Sequence, residues 1–389
     1  MVGQTGRPTL KVADQMTGDQ TGRPTKNMKR PYYIFSAGRI RRQQNTLFFE
    51  KAENQDAEEP DFDPNIEETL VEPEFIPATD EKERVQRRVI PVEDVESLYC
   101  FGEMNLNTKL INFLSQQHII AHFFNYYGYY SSTLIPRDYL VSGEVVVRQS
   151  SIYLDSGKRL VLAKEFIRAA MENILNNLKY YNSRGKDTTE CIRVVEQEKM
   201  RALDASNIDE LMAAEGRARQ IYYEFWDLII DNEEFPFDKR TRRPPQNAVN
   251  ALVSFGNTML YTTCLGELYH TQLHPAVSFL HEPGFRRFSL SLDVAEVFKP
   301  FIIDRLIFNL LNRNQLKPKH FDEKLNYCYL NEEGRKIFVQ AYDERMKTTI
   351  KHRNLGRNVS YRRLIRLECY KLIKHVTGIK NYSAFRLWW

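Results

Sequence analysis

Cysteine is scarce in this chain, and its scarcity removes two chemistries. The five residues, Cys100, Cys191, Cys264, Cys328 and Cys369, are odd in number and far apart, so neither a disulfide framework nor a cysteine-based zinc site is expected. Long apolar runs are missing too. No stretch approaches the roughly 18 consecutive apolar residues of a membrane span, and the amino terminus, MVGQTGRPTLKVADQ, holds no apolar signal segment. These absences point to a soluble, cytoplasmic protein without a membrane partner. What is present is core material: 42% of the residues are hydrophobic and 12% aromatic. A chain of 389 residues is long for one compact domain, at roughly 100–200 residues each, so two domains are expected.

The net charge of +4 averages over segments of opposite character. From Glu50 to Glu83 there are fourteen acids against two lysines, a local balance of −12, which leaves +16 for the remainder. The opposite case is Arg345 to Arg386, with twelve Lys/Arg and one acid, Glu368. An imbalance sustained over so long a segment is the electrostatic footprint of a phosphate-backbone binder; a solvated helix face is the alternative.

Along the chain, residues 1–30 are polar and contain QTGRPT twice. One duplicated polar hexamer buries nothing, so a disordered tail is expected, and Met28 is a possible natural start. Residues 31–150 read as a small β domain, from YYIFSAGRIRRQQNTLFFE, RVIPVEDVESLYCFG and HIIAHFFNYYGYYSSTLI, all dense in aromatic and β-branched residues. The acidic, proline-bearing tract at about 51–83 interrupts it as a loop. From 151 to 389 the apolar residues recur at helical spacing, as in Leu160, Ala163, Phe166, Ile167, Ala170 and Ile174. The expectation is an α+β protein, with an N-terminal β domain followed by a larger all-α domain.

Four polar residues interrupt apolar faces. In SNIDELMAAEGRARQIYYEFW, Ser206 or Asn207 can cap a helix whose stripe runs through Ile208, Leu211, Met212 and Tyr222. Glu215 lies on that inward face, where a carboxylate needs a cation, a hydrogen-bond partner or a proton. Arg217 and Arg219, nearby in sequence, are read as pointing elsewhere. In SFLHEPGFRRFSLSLDVAEVF, His281 precedes Asp293 and Glu296, which share one face of a helix beginning near Ser289 or Ser291. One imidazole with carboxylate oxygens suits Mg²⁺ or Mn²⁺ better than structural zinc. On spacing alone, a metal site and a satisfied buried network stand equally. The pairs His118/His122 and His270/His274 have the H-x₃-H spacing of a zinc helix, but the glutamate of the metalloprotease motif is missing and packing or surface roles are expected.

AAEGRARQIYYEFW, RRPPQNAVNALVSFGNTMLY and HPAVSFLHEPGFRRFSLSLDVAEVFKP, in that order, resemble the signature regions of the CRISPR-associated adaptation integrases, the Cas1 family; the start at Pro31, IPVEDVESLYCFGE and the FRLWW end resemble it as well. The resemblance implies an N-terminal β-sandwich, a helical catalytic domain and a homodimer that works with a small Cas2 partner to insert short DNA fragments into a CRISPR array. It implies that Glu215, His281 and Glu296 form the catalytic, metal-binding triad, with Asp293 as an acidic neighbour. Glu296 stands where the family often has Asp, His274 where many relatives have Asp before Pro, and Gln246–Asn247 in an often acidic stretch. Arg242, Arg243, Arg286, Arg287 and Lys299, which flank the motifs, are the candidates for holding double-stranded DNA. A nuclease acting on branched DNA, and a non-catalytic DNA-binding scaffold, are the competing readings.

Overall fold

The structure, a computed structural model, describes residues 29–51, 87–137, 140, 142–241, 244–284, 288–324, 327–352 and 355–387. The tail before residue 29, nearly all of the acidic tract, and the DNA-contact candidates Arg242, Arg243, Arg286 and Arg287 lie outside the described residues.

The amino-terminal part contains β1 (Arg30–Ile34), β2 (Gly38–Gln43), β3 (Thr46–Lys51), β4 (Arg87–Pro91), β5 (Val95–Cys100), β6 (Met104–Asn105), α1 (Thr108–Gln116), β7 (Ile120–Phe124) and β8 (Tyr130–Leu134). One sheet has the order β1-β5-β7-β8 and the other β4-β3-β2-β6. The first is parallel through β1, β5 and β7, with β8 antiparallel at its edge. Between the sheets lies one apolar core, to which Ile34, Leu98 and Ala121 contribute from one side and Ile40, Leu47 and Ile90 from the other. The expected sandwich is therefore present. Helix α1 was not expected in this strand-rich segment; Asn107 starts it by accepting from the Leu110 N–H at 3.0 Å, and Leu110, Phe113 and Leu114 close one end of the same core.

Strand β5 is buried on both faces. Leu98 and Cys100 point into the sandwich core, while Tyr99 and Phe101 belong to the core of the helical body, as the two-residue side-chain period requires. Tyr99 completes the junction through its hydroxyl, 3.2 Å from Thr263 Oγ1. Beside it, Glu96 and Glu267 share Arg366, at 3.1 and 2.5 Å, across the same boundary.

The helical body follows: α2 (Gly143–Leu154), α3 (Ser156–Asn182), α4 (Thr189–Asp204), α5 (Ile208–Glu224), α6 (Trp226–Ile229), α7 (Ala248–Tyr269), α8 (Ser289–Lys299), α9 (Arg305–Asn312), α10 (Glu332–Lys347) and α11 (Tyr361–Val376). Two small ribbons, β9 (Phe321–Lys324) with β10 (Tyr327–Leu330) and β11 (Thr349–Lys351) with β12 (Asn358–Ser360), interrupt it. They are too short for a period to show in the sequence. Residue 150, near which the helical signal begins, lies inside α2. Among the described residues no helix is long and apolar enough to cross a membrane.

Two asparagines one turn apart on α3 hold α8 against it. Asn173 Nδ2 donates to the Val297 carbonyl at 2.8 Å and Asn177 Nδ2 to the Pro300 carbonyl at 2.6 Å. Those carbonyls stand where α8 gives way to a five-residue π-helical turn, Pro300–Asp304, that leads into α9. Proline has no N–H to continue the α ladder, and single π turns inside helices are frequent at functional sites.

Candidate active site

The site lies where α5, α8 and the segment joining α7 to α8 meet. Helix α5 starts as its sequence suggests: Asn207 accepts from the Glu210 N–H at 2.9 Å, and the Glu210 side chain accepts in return from the Ser206 N–H at 2.8 Å. Leu211, Ala214, Ala218 and Tyr222 then form the buried stripe. Glu215 sits at its margin, 16% exposed.

Arg219, one turn further on, does not point elsewhere, and that expectation is corrected. Its Nε donates to Glu215 Oε1 at 2.6 Å and its Nη2 to Glu296 Oε2 at 2.6 Å, so one guanidinium ties the two acids together. The i,i+4 spacing from Glu215 was the available signal. Arg217 turns away, as expected, to Glu198.

His281 is positioned by Asp293. The fully buried Asp293 carboxylate accepts from the Phe279 and Leu280 N–H groups through Oδ2, at 2.7 and 2.9 Å, and from the His281 N–H and Nδ1 through Oδ1, at 3.0 and 2.8 Å. Accepting at all these points suits an ionised carboxylate, and it assigns the Nδ1 proton to the Asp293 bond, leaving Nε2 as the ring's open nitrogen. Burial works against a charged imidazole here, but the Asp293 bond and charge prevail and raise the His281 pKa. Nε2 faces Glu296 Oε1 at 3.9 Å. That is too far for a hydrogen bond.

Glu296 is almost wholly enclosed. Burial alone would raise its pKa, yet Lys299, then Arg219, then His281 hold the carboxyl down at about 2. Lys299 pairs with Glu296 Oε1 from the next turn of α8, and its ammonium lies 4.9 Å from the centre of the Tyr261 ring. It was a candidate DNA contact; the side chain is instead buried in the site, because the i,i+3 step from Glu296 places it on the inner face. Asp304, buried at the end of the π-helical turn, has an Oδ2 lacking any hydrogen-bond partner. Burial pushes its carboxyl up to about 7. Sequence reasoning missed it, although an acid alone in the apolar run FIIDRLIF was the clue.

The donor set can be tested against a divalent ion. One imidazole with its far nitrogen fixed by a carboxylate is the usual arrangement of a metal-ligating histidine. His281 through Nε2, and Glu296, whose Oε1 lies 3.9 Å from it, are the two residues that would hold such an ion. Glu215 reaches Glu296 through Arg219 alone. Accordingly, among the described residues no three His, Cys, Asp or Glu side chains stand close enough to hold one ion. The residues fit a metal in type, and two of them fit in placement.

Neither decoy pair forms such a site. His122 is buried with Nδ1 2.9 Å from Thr133 Oγ1, and His274 Nδ1 accepts from the Ala276 N–H at 3.3 Å. The basic carboxy-terminal segment divides: Arg345, Arg362 and Arg366 turn inward, to the Phe301 carbonyl and to Glu96 and Glu267. Lys347, Lys351, Arg357, Lys374 and Lys380 are exposed.

Solved structures share this architecture over nearly the whole chain. A casposase bound to its integration product has a TM-score of 0.75 at 18% identity, with 92% of this chain and 93% of that one covered, a likeness of fold. A Cas1 protein from Thermotoga maritima gives 0.75 at 38% identity, covering 92% of this chain and 100% of that one. The fold is thus that of the Cas1 proteins. The model of the family described as CRISPR associated protein Cas1 matches residues 32–344. The chain belongs to that family. A relative from Thermodesulfovibrio yellowstonii is 47% identical over 360 residues, 92% of this chain and 100% of its own, and one from Fusobacterium nucleatum is 45% identical over 363 residues, 93% of this chain and 98% of its own. Both carry the name CRISPR-associated endonuclease Cas1.

Proposed function

We propose that this chain is a divalent-metal-dependent DNA endonuclease and strand-transfer integrase that joins short DNA fragments to the leader–repeat border of a CRISPR array. In this reading it works as a homodimer with a small Cas2 partner, and Glu215, His281 and Glu296 hold Mg²⁺ or Mn²⁺. The observation that carries it is His281: its Nδ1 is committed to Asp293 and its Nε2 faces Glu296 across 3.9 Å. Endonuclease relatives, a casposase caught with an integration product and an assembly titled Cas6-RT-Cas1–Cas2 support the same reading.

The reaction is an in-line displacement at phosphorus. A 3′-hydroxyl of the incoming fragment forms a new P–O bond, the target strand's P–O3′ bond breaks, and the departing oxygen takes up a proton. With water as the attacking group the same step is hydrolysis. The ion, when bound, lowers the charge barrier at the phosphate and steadies the leaving oxygen. The protein's share is positional. Asp293 fixes the imidazole, Asn173 and Asn177 fix the Val297 and Pro300 carbonyls just after Glu296, and Lys299 brings a positive charge beside the acids, where a phosphodiester would sit.

The test is a strand-transfer assay. A labelled duplex with 3′-hydroxyl ends and a leader–repeat plasmid are incubated with the protein, with and without its partner, in Mg²⁺, Mn²⁺ or chelator. Metal-dependent joining at the border, lost in His281→Ala and Glu296→Ala, is expected. Cleavage without joining would favour a nuclease of branched DNA; binding indifferent to both substitutions would leave a scaffold with a buried polar network.

A further inference from the structure

The clamp between Glu215 and Glu296 raises a question of charge. Arg219 is bonded to both acids at 2.6 Å, and only 12% of its side chain is exposed. An ion can take those carboxylates only when the guanidinium leaves them, and a buried guanidinium needs another acceptor to leave for. Lys299 cannot serve, being a cation itself.

Asp304 has what is required. It is 2% exposed and its Oδ2 has no hydrogen-bond partner, a rare condition for a buried carboxyl. Of the charged groups acting on it, Arg219 on α5 is the strongest of opposite sign; Lys299 and Glu296 on α8 contribute less. The Tyr222 hydroxyl, which accepts from Asn177 at 3.1 Å, faces the same carboxyl and leaves Oδ2 open. Asp304 is the last residue of the π-helical turn, Pro300–Asp304, that follows α8.

We propose that Asp304 is the second resting place of the Arg219 guanidinium, which sits on Glu215 and Glu296 and crosses to Asp304 when a divalent ion takes those two carboxylates. Asp304 is then a positioning residue. It acts through Arg219 and touches neither ion nor DNA. Lys299 stays in place, since it is tethered to Glu296 by one helical turn and lies against the Tyr261 ring. This inference rests on the metal reading above.

The experiment measures ion binding, with no reaction involved. Mn²⁺ is titrated into the full chain by calorimetry and by the spectrum of free Mn²⁺, for the wild type, His281→Ala, Asp304→Asn, Arg219→Gln and the double variant Asp304→Asn/Arg219→Gln, with circular dichroism as a check on folding. Wild type is expected to bind one Mn²⁺ through His281. Asp304→Asn should weaken that binding at least tenfold, Arg219→Gln should bind no more weakly than wild type, and the double variant should match Arg219→Gln. The proposal is overturned if Asp304→Asn binds like wild type, or weakens binding equally when Arg219 is already gone. Should Asp304→Asn not fold, Arg219→Gln alone decides, since a large loss of affinity there would mean that the guanidinium assists the ion. A wild type that binds no Mn²⁺, or binds it unchanged in His281→Ala, would bring down the metal reading and this inference with it, a pattern distinct from the others.

Discussion

Asp293 and His281 are joined twice: one carboxylate oxygen accepts from both the backbone N–H and the ring Nδ1 of the histidine, at 3.0 and 2.8 Å. The other oxygen closes the backbone at Phe279 and Leu280. Asp293 therefore shapes the segment and orients the ring in a single act. Substitution by Asn keeps the volume but turns one acceptor into a donor aimed at backbone N–H groups. We expect Asp293→Asn to cost about 2–3 kcal/mol in urea denaturation and to reduce strand transfer as severely as His281→Ala. Unchanged stability would show that the carboxylate is not what holds the loop.

Glu296 and Lys299 should behave as a coupled pair. Removing Lys299 leaves the buried Glu296 with Arg219 as its remaining counter-charge, so Lys299→Met is expected to lose about 2 kcal/mol. The double variant Glu296→Gln/Lys299→Met should lose less than the sum of its parts, with a coupling of about 1–3 kcal/mol. Equilibrium unfolding of the three variants measures it; strict additivity would refute the contact.

His122 predicts an acid limb of stability. Burial, helped by Arg362, lowers its pKa from 6.5 to about 3, so the unfolded chain takes up the proton first. The stability it contributes is full above pH 6.5 and is lost as pH falls toward 3, at up to about 1.4 kcal/mol per pH unit. His122→Asn, which keeps a donor toward Thr133, should flatten the difference curve between those limits. Thermal melts from pH 7 to pH 4 check it, and parallel curves for the two proteins would contradict it.

DNA affinity should fall steeply with salt through the exposed Lys347, Lys351, Arg357, Lys374 and Lys380. Replacing Lys374 and Lys380 with Gln should reduce the slope by about two ions. Arg366→Met should behave differently, lowering stability while leaving the salt slope unchanged, because its charge is held by Glu96 and Glu267. A salt slope that responded to Arg366 instead would place DNA at the domain junction.

Much of this was legible because local rules and long-range packing agree. The helical stripe of α5, the Asn207 cap and the strands of the sandwich follow from period and propensity, and Glu215, His281 and Glu296 stood out as polar residues on apolar faces. The failures are equally specific. The i,i+4 relation of Glu215 to Arg219 was in plain view, yet which acid a guanidinium chooses depends on α8, which meets α5 only in three dimensions. Helix α1 hid among aromatic strands because its nine residues are too few to show a period. Asp304, an acid in the apolar run FIIDRLIF, was passed over because the short π-helical turn that ends on it leaves no period in the sequence.

Strand β5, buried on both of its faces, has a consequence for how the protein lives and fails. A strand whose two sides belong to two different cores cannot melt with one and spare the other. The sandwich and the helical body should therefore rise and fall as one cooperative unit. Severing the chain between them would expose Tyr99, Phe101 and Phe124, an aromatic strip ready to aggregate. The second sheet is held together elsewhere, where β3 and β4 pair side by side with Glu50 opposite Arg87.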